Sequence, residues 1–87
     1  MTDASSAISL ADLPRATQAQ VVGVLPDAPV AVSRRLGDLG FRPGSPVELL
    51  RTAPLGSPTV YRIGESDICL RRAQAQYVTV RLSEAGR

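Results

Sequence analysis

Asp67 and Cys69 stand two residues apart in Asp67-Ile68-Cys69-Leu70-Arg71, whose alternation reads as a strand, so a carboxylate and a thiol share one face. Together they could chelate a divalent ion, zinc or ferrous iron. A closed structural site wants four donors, however, and the chain has one cysteine and no histidine. The pair therefore reads as a weak metal site that Asp3 or a second molecule would have to complete, and no cofactor is obligatory. Its plainer reading is a small strand residue beside a turn-flanking charge.

The missing histidine also removes the usual general base near neutral pH. Ser33, Ser45, Ser57 and Ser66 have neither histidine nor lysine to activate them, because all ten basic residues are arginine. A Schiff-base lysine and a P-loop are excluded on the same ground. Glu65 and Asp67 flank a turn as solubilising charges, in a chain too small for the groove that a glycosidase pair needs. The sequence reads as no enzyme.

Ten arginines against eight acidic residues leave a net charge of +2, a mild excess without the clustering of a nucleic-acid binder. Only Arg34-Arg35 and Arg71-Arg72 are paired, and only Phe41, Tyr61 and Tyr77 could stack on bases. Gly37-Asp38-Leu39-Gly40 has the GXXG spelling of an RNA-clamping loop, but Asp38 would repel phosphate. No nucleic-acid partner is expected. One cysteine makes no internal disulfide, and Met1-Thr-Asp-Ala-Ser-Ser6 has no basic segment followed by an apolar stretch. The longest apolar run, Val21 to Leu25, is far short of the ~20 residues of a membrane span. A cytoplasmic protein not embedded in the membrane is expected.

The elements that position these residues are short. An 87-residue chain supports one modest core. Residues 1–9 read as a flexible N-terminus and residues 10–84 as a single domain. Leu10 to Leu13 makes one helical turn stopped by Pro14, laying Leu10 and Leu13 over one end of the core. Ala19 to Leu25 reads as a strand with Val22 and Val24 facing one way. The next segment is the best-signalled helix: Asp27 as N-cap, Pro29 in the first turn, Val32, Leu36 and Leu39 on one stripe, and Gly40 as the left-handed cap. Gly37 within it implies either close packing or a tolerated weakness.

Strand patterns come next at Val47 to Thr52, Thr59 to Ile63, Asp67 to Arg71 and Tyr77 to Leu82, with a tight turn at Gly64-Glu65. About five strands, one α-helix between the first and second, and short helical turns predict a mainly β fold, a small SH3-like β-barrel. An OB-like barrel comes second, and an open α+β sheet with the helix on one face third.

Four stretches resemble the FeoA family (ferrous iron transport protein A), in family order: Leu10-Ala-Asp-Leu-Pro14, Arg35-Leu-Gly-Asp-Leu-Gly-Phe-Arg-Pro-Gly44, Ala53-Pro-Leu-Gly-Ser-Pro58 and Leu70-Arg-Arg-Ala-Gln-Ala75. Ala16 stands where the family pattern has glycine, Ser57 where aspartate is common and Phe41 where an aliphatic is usual. The resemblance implies an SH3-like barrel that supports ferrous iron uptake by binding the cytosolic GTPase region of a FeoB-type transporter, as a monomer or weak homodimer. A free-standing relative of the C-terminal domain of iron-dependent repressors, and a basic RNA-binding barrel, are the alternatives. Ala53 to Pro58 is a proline-stiffened loop displaying Leu55, and rigid loops lose less entropy when a partner docks. The expected docking surface has Pro54, Leu55 and Tyr61 at its apolar centre, with Leu39, Arg34 and Arg35 nearby. The competing reading has Leu55 plugging the barrel.

Overall fold

The computed structural model describes residues 7–55 and 57–82. In chain order these form β1 (Ala7–Ser9), a 3-10 turn (Leu10–Asp12), β2 (Gln18–Val24), α1 (Val30–Leu39), β3 (Pro46–Thr52), β4 (Thr59–Ile63), β5 (Ser66–Leu70), α2 (Arg72–Ala75) and β6 (Val78–Leu82). The part of the expected flexible terminus from Met1 to Ser6, the expected domain end beyond Leu82, and Asp3 lie outside the described residues.

The six strands form one antiparallel sheet in the order β1-β6-β2-β3-β4-β5, and this sheet is not closed. The expected five-stranded SH3-like barrel is thus corrected to an open six-stranded sheet. Among the described residues β1 pairs only with β6 and β5 only with β4, so the ladder has two edges. The physical cause is the helical piece at the end of each edge strand. β1 runs straight into the 3-10 turn and β5 into α2, and these two helical pieces contact each other. The Arg72 guanidinium donates to the Ala11 carbonyl at 3.2 Å and reaches the Asp12 carboxylate at 3.5 Å. Side chains and helical turns span the seam that a barrel would close with main-chain bonds. The extra strand, Ala7–Ser9, is too short to show a period of its own.

Curvature comes from two bulges, one between Val21 and Gly23 opposite β6 and one between Leu49 and Arg51 opposite β4. The first overturns the expected facing of β2. Ala19 and Val21 are the buried residues, and Val22 is the extra one, turned out to solvent. Past the bulge Val24 returns to the core side opposite Val78.

Helix α1 presents the expected stripe: Leu36 is buried, and Val32 and Leu39 pack partly buried against the core. Its N-terminus differs, since Pro29 occupies the cap position and Asp27 makes no capping bond. At the other end Gly40 adopts φ 108, and the amides of Gly40 and Phe41 donate to the carbonyls of Gly37 and Leu36. This left-handed closure swings Phe41 into the core, where it is buried. A Cβ at Gly37 would meet nothing within 4 Å, so this glycine is a tolerated weakness. Gly37→Ala is expected to stabilise the fold by about 1 kcal/mol, raising the chemical-denaturation midpoint with an unchanged slope.

Two of the departures from the family pattern, Ala16 and Ser57, have local structural consequences. Ala16 sits at φ 58, a left-handed conformation that disfavours any side chain. Ala16→Gly is expected to relieve it and raise the melting temperature by about 2–6 °C, from roughly 0.5–1 kcal/mol net of glycine's entropy. Ser57 accepts the Arg72 amide at 3.1 Å through its hydroxyl and so ties the loop before β4 to α2.

Candidate functional site

Strand alternation puts Thr59, Tyr61 and Ile63 on the inner face of β4. Tyr61 is therefore buried, its ring among core residues and its hydroxyl donating to the Leu10 carbonyl at 3.4 Å across the seam. Burial raises its phenol above the usual value of 10, opposed by the Thr59 hydroxyl and the Arg72 charge. Tyr61 lines a cleft of about 240 Å³ with Ala11, Leu13, Arg15, Leu49, Thr52, Thr59 and Arg72. It is the floor of the seam and does not stand on an exposed docking surface.

Leu55 has the opposite setting. It lies in a turn after β3 and is 95% exposed, so it does not plug the core. The segment is held at both ends: the Ala53 amide donates to the Pro58 carbonyl at 3.0 Å, and Ser57 bonds Arg72. Pro54 is exposed beside Leu55, and Gly56 lies outside the described residues. Arg34 and Arg35 are on α1 and both are exposed, while Leu39 is partly buried against the core. The result is one exposed leucine on an anchored loop, with arginines on a different element.

On β5, Asp67 and Cys69 are both exposed, as the alternation predicts. The Asp67 carboxylate accepts from Arg62 Nε at 3.1 Å, and that bond raises the arginine's proton affinity further. Among the described residues no group of three or more cysteine, aspartate or glutamate side chains comes together. Two donors, one already engaged by arginine, do not fit a resident metal centre within one chain. Arg72 carries a structural task that the sequence does not signal: it joins α2 to the 3-10 turn, 60 residues earlier in the chain. A contact that remote leaves no trace in local spacing.

A family model described as the FeoA domain matches residues 8–82. The chain belongs to the FeoA family. As a FeoA-family protein it is a small non-catalytic accessory factor of ferrous iron transport. The FeoA protein from Chlorobium tepidum is 36% identical, with a TM-score of 0.78 over 86% of this chain and 70% of that one. FeoA from Stenotrophomonas maltophilia, solved in complex with zinc and described as an SH3 domain protein and a candidate ferrous iron transport activating factor, is 32% identical. Its TM-score is 0.72, over 90% of this chain and 92% of that chain. A manganese-dependent transcriptional repressor shares the fold at 18% identity and TM-score 0.79, over 88% of this chain and 42% of its own length. No curated protein matches the sequence. Among the described residues no helix is long and apolar enough to cross a membrane.

Proposed function

We propose that this FeoA-family chain acts on the cytosolic side of the membrane by binding the GTPase region of a FeoB-type ferrous iron transporter, with Leu55 as the apolar anchor. The observation that carries this reading is a leucine 95% exposed on a loop whose ends are tied down. Such a side chain reaches a partner pocket without a large ordering penalty, and a central apolar anchor dominates the energy of many interfaces. Pro54 stiffens its approach, and Arg34 and Arg35 supply the basic rim. The charged rim steers encounter, while Leu55 sets the lifetime of the complex. Titrating the purified chain into the isolated GTPase region, with and without guanine nucleotide, tests the reading. Saturable one-to-one binding in at least one nucleotide state is expected, and no heat or shift in either state contradicts it.

The role needs no resident metal. The zinc complex of the Stenotrophomonas relative supports weak divalent-ion binding in general. In this chain we assign it to Asp67 and Cys69, exposed on one face of β5, with the remaining donors supplied by a second molecule. Calorimetry with zinc and ferrous iron is expected to give weak binding that Cys69→Ser removes, whereas a chelator leaves the melting temperature unchanged. Binding unaltered by Cys69→Ser would exclude this pair.

A further inference from the structure

The sheet that does not close leaves β5 as an edge, and the free side of that edge is complementary to itself. The two-residue turn Gly64-Glu65 makes Ile63 and Ser66 a hydrogen-bonded pair. Alternation then directs the main chain of Ser66, Ile68 and Leu70 toward β4 and that of Asp67 and Cys69 away from it. Among the described residues neither Asp67 nor Cys69 has a main-chain hydrogen-bond partner. The next outward amide, that of Arg71, already donates to Oε1 of Gln74 at 3.2 Å, and its carbonyl accepts from Gln74 and Ala75. The unpaired ladder is thus two residues long, bounded by the hairpin turn and by α2.

We propose that β5 pairs antiparallel with β5 of a second copy of this chain, about a two-fold axis at Ile68. In this register Asp67 faces Cys69 of the second copy, and each such pair exchanges two main-chain bonds, so every free N–H and C=O of both ladders is satisfied. Ile68, which packs partly buried against the core, meets Ile68 of the second copy in a non-hydrogen-bonded pair, where side chains approach most closely. Glu65 and Arg71, both exposed, flank the strand and come alongside the opposite charge of the other copy, once at each end. The two Asp67 carboxylates lie on a diagonal, each already paired with its own Arg62.

The neighbouring registers are worse on the same terms. Centring the axis on Cys69 requires the Arg71 amide that α2 has taken. Centring it on Asp67 sets two carboxylates directly opposite each other. An acid at one end of the edge and a basic residue at the other match only when the strand is reversed against itself, which selects a second copy as the occupant.

The test is amide hydrogen exchange on the full chain in chelator, comparing dilute and concentrated protein. Between ~20 µM and ~1 mM, exchange at Asp67 and Cys69 is expected to slow roughly tenfold or more, while Ser66, Ile68 and Leu70 are unchanged. Cys69→Pro removes an outward donor that β4 does not use, and it is expected to abolish the protection at Asp67 with β4–β5 pairing intact. Glu65→Arg is expected to weaken association, and adding Arg71→Glu to restore it. Concentration-independent exchange, or failure of the double reversal to restore association, overturns the proposal. Facile formation of a Cys69–Cys69 disulfide dimer would indicate the shifted register and overturn it equally.

Discussion

Tyr61→Ala is expected to lower the unfolding free energy by about 3–5 kcal/mol, the usual range for truncating a buried aromatic side chain. A domain of this length has roughly 4–13 kcal/mol in total, so the variant should stand close to unfolding at room temperature. Tyr61 is 2% exposed, and its ring fills the gap between β4 and the 3-10 turn where no main-chain ladder runs. Little else can collapse into that space, because Leu10 and Leu13 are themselves held by the turn. Tyr61→Phe keeps the ring and gives up only a 3.4 Å hydrogen bond, so it should cost about 0.5–1.5 kcal/mol. Denaturant titration of the two variants distinguishes ring from hydroxyl, and a Tyr61→Ala variant as stable as wild type would contradict the role of the seam.

The same residue gives a pH dependence of defined sign. Burial raises the phenol's folded value above 10, so the folded state favours its neutral form. That contribution is complete below the unfolded value and is lost as pH rises through the folded value. Wild type should therefore lose stability in excess of Tyr61→Phe as pH rises above 10, and parallel curves would remove Tyr61 as the source.

Most of the elements are written locally. The stripe Val32, Leu36 and Leu39, the glycine cap at Gly40 and the two-residue turn at Gly64-Glu65 each arise from spacing and residue type. Closure of the sheet is not local. Whether the edge strands β1 and β5 meet depends on the two bulges and on Arg72 reaching Ala11 and Asp12, none of which leaves a periodic signal. The same limit divides the site residues. Asp67 and Cys69 fall on one exposed face because strand alternation fixes them there. Tyr61 is inward for the same reason, and the alternation of Thr59, Tyr61 and Ile63 already places it with the core. Leu55 could be settled only by structure, since a leucine between proline and glycine fits a plug as well as a knob.

Leu55→Glu is expected to weaken binding to the transporter's GTPase region by at least about 30-fold, the loss typical of a hot-spot anchor. The substitution places a charge where the interface centre must desolvate, and it touches a side chain that contributes almost nothing to the core. Stability should stay within about 0.5 kcal/mol of wild type, so lost binding cannot be blamed on unfolding. Arg34→Glu and Arg35→Glu should act differently, slowing association in a salt-dependent way while leaving the dissociation rate near its original value. The most direct measurement is thus the affinity of wild type and Leu55→Glu for the isolated GTPase region, with the fold of both checked by circular dichroism. A folded Leu55→Glu chain that no longer binds is the predicted result, and a folded variant that binds as tightly as wild type would contradict the account.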